Sequence, residues 1–154
     1  MIIGICGLIG SGKDTIADHL VNDHSFVKLS FADKLKDSVA TMFDWSRDLL
    51  DGKTEQSRKW REQMDPFWSM ELKHEVTPRL VLQKFGTECM RDGFYDGIWV
   101  SLVKKKLKDN PQINWVIPDV RFENEANMIQ ELGGEVWWVK RGQLPMWFRM
   151  YQDI

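Results

Sequence analysis

The run Gly7-Leu8-Ile9-Gly10-Ser11-Gly12-Lys13 has the spacing G-x-x-x-x-G-K, a set of residue types that together make a cradle for phosphate oxygens. Glycines let the backbone curl so that successive N–H groups point inward. A following helix presents its positive end, and a lysine reaches the outer phosphates of a nucleotide. Gly10, Ser11, Gly12 and Lys13 are therefore candidate ligands of a polyphosphate. The next two residues depart from the usual pattern, because Asp14 stands where Ser or Thr normally offers a hydroxyl to Mg²⁺, and Thr15 follows. A carboxylate is a good hard-oxygen ligand for Mg²⁺, directly or through water. Asp14 could thus replace the hydroxyl, face an acceptor while Thr15 binds phosphate, or simply complement the helix dipole.

A second acidic residue, Asp119, ends the apolar run Trp115-Val116-Ile117-Pro118, where a strand-end carboxylate could hold a metal or could merely cap the following turn. Arg121 lies two residues on, and Glu123 and Glu125 open the next helical stretch, so cation and anions converge there. Phosphoryl transfer asks for positive charge around the transferring group and little covalent chemistry from the protein. Arg79, Arg91, Arg121 and Arg141 are candidates, since a guanidinium fork binds phosphate bidentately. Arg79 and Gln83 are four apart and share one helix face.

These residues need elements to hold them. Met1–Cys6 is a short continuous apolar run that predicts a buried parallel strand, and the glycine loop leads into a helix with Ile16, Leu20 and Val21 on one face. Phe26–Ser30, Asn114–Ile117 and Glu135–Lys140 predict three more strands. Helices are expected over Asp33–Met42, Ile98–Lys108 and Glu123–Leu132, the last stopped by Gly133-Gly134. Thr77 as N-cap and Pro78 at the first position begin another helix, expected to end near Phe85 before Gly86. Strands alternating with helices predict an α/β fold, a mostly parallel sheet covered on both faces with ligands at the carboxyl ends of its strands. Residues 43–77, polar, Trp-rich and punctuated by Asp51-Gly52 and Asp65-Pro66, read as helices and loops outside the sheet.

The 154 residues fall within the range of one domain. A net charge of −2 excludes a global basic field for nucleic acid, so any anion site is local, and Lys104-Lys105-Lys106 reads as a solvated face. No apolar run approaches the roughly 20 residues of a membrane span. The chain opens on Met1-Ile2-Ile3 without the features of a signal peptide, and Cys6 and Cys89, 83 residues apart, read as reduced thiols of a cytoplasmic protein. His19, His24 and His74 have no ligand-like spacing, and the eight tryptophans are expected in core and cleft packing.

Four blocks resemble the deoxynucleoside monophosphate kinases encoded by tailed bacteriophages: Gly7–Thr15, Leu49–Trp60, Thr77–Trp99 (TPRLVLQKFGTECMRDGFYDGIW), and Asp119–Glu125 (DVRFENE) followed by Gly133-Gly134. The similarity spans nearly the whole chain, and the spacing of the last two blocks is its most specific part. It implies a P-loop NTPase fold, a three-layer α/β/α sandwich forming one kinase domain over residues 1–154, with 43–77 as a helical lid over the acceptor site. It implies ATP and Mg²⁺, with Gly10–Thr15 and Arg141 on the ATP phosphates and Asp14 and Asp119 toward the metal. Lys13, Arg79, Arg91, Asp119 and Arg121 would be catalytic. Arg79, Gln83, Gly86, Thr87, Trp99, Arg121 and Glu125 would bind a deoxynucleoside monophosphate, with Trp99 either stacking on the base or lining the cleft. Leu80 departs from the basic residue some members carry beside Arg79.

The implied partners are small molecules, with no nucleic acid and no membrane, in the cytoplasm of a host cell if the chain is phage-encoded. Relatives commonly continue past the position of Ile154, and Leu144–Tyr151 is expected to be a terminal helix exposing Trp147 and Phe148 unless it packs or pairs, as in a homodimer. Other readings of the same loop are another small-molecule P-loop kinase of the dephospho-coenzyme A kinase type, or a nucleotide-binding module without turnover.

Overall fold

Alternate residues of the first apolar run, Ile3 and Ile5, point one way and are fully enclosed, which makes Ile2–Gly7 the central strand β1. In the computed structural model, which describes residues 1–142, β1 pairs in parallel with β3 (Trp115–Ile117) on one side and β4 (Glu135–Val139) on the other. Strand β2 (Val27–Lys28) pairs with β3, so the order is β2-β3-β1-β4 and all four strands run parallel. Helix α1 (Lys13–His24) lays Ala17 and Leu20 over Ile3, Ile5, Phe26 and Val116. The opposite face of β1 is reached through Gly4, where a Cβ would stand 2.6 Å from Ile129 Cδ1 and 2.9 Å from Val120 Cγ2. Ile129 belongs to α8 (Glu123–Glu131), so helices cover both faces of the sheet in the expected three-layer α/β arrangement.

The described chain folds as two compact units, the sheet with Met1–Phe31 and the chain from Val103 onward, and a helical unit of Ala32–Leu102. The second contains α2 (Asp33–Phe43), α3 (Arg47–Asp51), α4 (Glu55–Arg61), α5 (Pro66–Leu72) and α6 (Pro78–Gln83), then a π-helical segment, Lys84–Asp92. Helix α7 follows over Ile98–Asp109. Helices this short have little stability of their own, and side chains supply it. Ser46, Thr54, Asp65 and Thr77 each accept from a backbone N–H of the first turn they precede. Aromatic rings fill the centre around Val39, Leu50 and Leu82: Phe43 stacks on Trp45 at 4.7 Å and Trp45 meets Trp60 edge-on at 5.7 Å. Several of the tryptophans are spent here, on packing.

Arg47 ties α2 to α3 through Asp37 and Asp51, both at 2.6 Å, with Asp33 at 3.3 Å. Burial opposes the charges of Arg47 and Asp51, yet the ion pairs win, raising the guanidinium's pKa and lowering that of the Asp51 carboxyl.

The Thr77-Pro78 helix start is as the sequence predicts, with Thr77 Oγ1 accepting from Leu80 N at 3.1 Å. Thr77→Ala should therefore cost about 1 kcal/mol in urea unfolding. Gly86, expected to end this helix, does not. The chain runs through it in π geometry, and Gly86 is buried where a Cβ would stand 3.0 Å from Leu35 Cδ2. The lysine run is occupied at the surface, Lys105 with Asp109, Lys104 with Glu131 and Lys106 over the Trp115 ring. Both cysteines are free. Among the described residues no helix is long and apolar enough to cross a membrane. The terminal helix expected over 144–151 lies outside the described residues.

Candidate active site

The phosphate loop leaves β1 at the carboxyl end of the sheet. Gly7 must lack a side chain there, since a Cβ would stand 2.4 Å from the Val139 carbonyl oxygen and 2.8 Å from Ser11 Oγ. Gly10 and Gly12 take left-handed backbone angles, φ +78° and +97°, with open space where a Cβ would go. They are glycines for conformation, not for crowding. Gly12 is the N-cap of α1 and offers no side chain to the first-turn N–H groups, in contrast to α3, α4, α5 and α6, which are all capped by side chains. Those amides remain for a ligand. The Ser11 hydroxyl is buried and has no hydrogen-bond partner among the described residues. Half-buried Lys13 opens α1, with Asp14 and Thr15 exposed beside it.

The crossover order brings a second group to this end of the sheet. After β3, Val120 N–H donates to the Ile5 carbonyl at 3.1 Å, so Asp119 is held alongside β1 as it enters the loop. Asp119 Oδ1 accepts from Arg121 Nε at 2.8 Å, and both side chains are substantially exposed. This bond, the Asp119 charge and, more weakly, Glu125 raise the Arg121 pKa against the opposing effect of burial. On the far side of the sheet's centre, Arg141 is exposed two residues past Val139, the partner of Gly7.

Glu125 is the buried member, 7% exposed. Its Oε2 accepts from the backbone N–H of Arg121 at 2.8 Å and of Phe122 at 3.3 Å, so it braces the turn that carries Arg121. Burial pushes its pKa above the ordinary carboxyl value, aided by Asp119, while the two amides and Arg121 pull the other way. A raised folded-state pKa means that the fold holds this proton more tightly than the unfolded chain does. The resulting stability is full below the ordinary carboxyl pKa and is lost as pH rises through the raised value. Urea unfolding followed upward in pH from the ordinary carboxyl range should show this loss as the difference between the wild type and Glu125→Gln, in which it is absent.

In the helical unit, Arg79 and Gln83 are exposed on one face of α6, and Arg79 Nη1 meets Glu62 Oε1 at 2.9 Å. The π-helical segment carries buried Gly86, exposed Thr87 and exposed Arg91, whose Nη2 and Nε lie 3.0 and 3.3 Å from Asp96 Oδ1. Half-buried Trp99 donates from Nε1 to the Gly86 carbonyl at 3.0 Å. Arg79, Arg91 and Arg121 are thus each paired with an exposed carboxylate. Such surface pairs are worth about 0–1 kcal/mol, so a phosphate can displace the carboxylate at little cost.

Two known proteins are similar to this chain. A protein of Acanthamoeba polyphaga mimivirus, provisionally described as a deoxynucleotide monophosphate kinase, is 37% identical over 87% of this chain and 70% of its own length. The chain belongs to the deoxynucleotide monophosphate kinase family. The deoxynucleoside-5'-monophosphate kinase of Escherichia phage T5 is 39% identical over 36% of this chain and 22% of its own length. No family model matches the chain.

In this chain the loop, Asp119, Arg121 and Glu125 fall in the sheet unit, and Arg79, Gln83, Gly86, Thr87, Arg91 and Trp99 in the helical unit. Glu62 and Asp96, the carboxylates that hold two of the arginines, carry no sequence signature: Glu62 lies 17 residues before Arg79, and only folding pairs them.

Proposed function

We propose that this kinase transfers the γ-phosphoryl group of ATP to a 2′-deoxynucleoside 5′-monophosphate, giving ADP and the deoxynucleoside diphosphate in the cytoplasm of an infected host cell. The observation that carries the reading is the uncapped, left-handed glycine loop between β1 and α1, in a chain whose relatives are named for monophosphate acceptors.

An acceptor phosphate oxygen is already an anionic nucleophile at neutral pH, so no general base is required. It forms a new P–O bond to the γ-phosphorus while the bond from that phosphorus to the β–γ bridging oxygen breaks, and ADP departs with the electron pair. The protein's task is alignment and charge. Loop amides and Lys13 bind the donor phosphates, with Thr15 and Arg141 beside them. Arg79, Arg91 and Arg121 exchange their carboxylates for phosphate oxygens, and Glu125 keeps Arg121 in place. Gln83, Gly86, Thr87 and Trp99 belong to the acceptor side, and 43–77 serves as the helical insertion of a single P-loop kinase domain.

Among the described residues no group of three metal-binding side chains occurs. That fits Mg²⁺, which binds through one or two carboxylates and completes its shell with water and nucleotide oxygens. Asp14 and Asp119 would hold it, and when bound it neutralises developing phosphate charge.

ADP release coupled to NADH oxidation, measured with ATP, Mg²⁺ and a panel of ribo- and deoxynucleoside monophosphates, tests the reading. Turnover should require an acceptor and favour deoxynucleotides; a folded protein inert toward every monophosphate would sink it.

A further inference from the structure

A nine-residue π-helical run needs an external cause, because i→i+5 bonding is poorer than α bonding and normally lasts a single turn. Two contacts supply one, both at Gly86. Leu35 of α2 packs where a Cβ would be, at 3.0 Å, and Trp99 of α7 donates its indole N–H to the Gly86 carbonyl at 3.0 Å. Glycine inside a helix costs about 1 kcal/mol relative to alanine, so its presence here marks a place where the backbone must come close to something. Each π turn takes in an extra residue, so every side chain beyond Gly86 points in a direction that an α-helix would not give it. The residues redirected in this way are Thr87, exposed, and Arg91, half of an ion pair that a phosphate can open.

We propose that Trp99 is a positioning residue whose indole N–H, bonded to the Gly86 carbonyl, holds Lys84–Asp92 in its π register and so aims Thr87 and Arg91 at the acceptor monophosphate. The inference rests on the phosphoryl-transfer reading for its acceptor, while the register itself is a property of the free protein. It assigns Trp99 a role different from that of a ring stacked on the base. A stacked ring is served by any aromatic side chain, whereas the register is served only by a donor at the indole position.

Trp99→Phe keeps a ring and lacks the N–H, and Trp99→Leu lacks both. Both variants should raise KM for the acceptor about tenfold, the effect of one hydrogen bond, with KM for ATP unchanged. In the free protein, amide protons of residues 84–92 should exchange about tenfold faster in Trp99→Phe than in the wild type. Wild-type protection of 84–92 in Trp99→Phe would overturn the proposal, as would a wild-type acceptor KM in Trp99→Phe alongside a raised one in Trp99→Leu, the pattern of a stacked ring. If the wild type phosphorylates no monophosphate, the functional reading fails and hydrogen exchange still decides the register.

Discussion

Lys13→Ala should lower kcat for phosphoryl transfer on the order of a hundred- to a thousandfold while leaving the urea midpoint close to that of the wild type. The direction follows from where the residue sits. Lys13 is the first residue of α1, half-buried beside a helix end whose N–H groups have no side-chain cap. Removing its ammonium takes positive charge from the phosphates as charge shifts between them, and a group aimed at developing charge is worth several kcal/mol in a site shielded from water. The fold has little stake in it, because the packing of α1 against the sheet rests on Ala17 and Leu20. Full activity in Lys13→Ala, measured by coupled ADP release, would reject the loop as the donor site.

The second large effect is expected at Arg121. Arg121→Ala should reduce kcat about a thousandfold, the scale of an arginine that stabilises a transferring phosphoryl group. Arg121→Lys should recover only a small part, because an ammonium lacks the fork that binds two oxygens at once. The bond from Arg121 to Asp119 is exposed and cheap to open, whereas the backbone beneath it is fixed by the buried Glu125 carboxylate. This division, a side chain in an exposed ion pair on a braced turn, would let the guanidinium change partners without the turn moving. Comparable kcat values for Arg121→Ala and the wild type in the same assay would place the transferring group elsewhere.

Much of this was legible in the sequence where the cause is local. The glycine loop depends on backbone angles set by Gly10 and Gly12 themselves, the start of α6 depends on Thr77 and Pro78, and the four strands stand out as short apolar runs. The sites that could not be read depend on residues remote in sequence. Gly86 reads as a helix stop until Leu35, 51 residues earlier, and Trp99, 13 later, are seen to meet it. The pairing of Arg79 with Glu62 likewise exists only after α4 and α6 have packed. Glu125 is a local case: its carboxylate turns to the backbone N–H groups of Arg121 and Phe122, four and three residues before it, the reach of a helix-start capping box. Charge-bearing residues announce that a site exists; which of them are free, paired or buried is decided by tertiary structure.

Phosphorus NMR of one reaction mixture, with the kinase, ATP, Mg²⁺ and a deoxynucleoside monophosphate, tests the central claim most directly. The account predicts that the ATP γ resonance falls as the β resonances of ADP and of a deoxynucleoside diphosphate rise together, and that both changes are slowed on the order of a hundred- to a thousandfold with Lys13→Ala. Growth of inorganic phosphate alone, or an unchanged spectrum from folded wild-type protein, would contradict it.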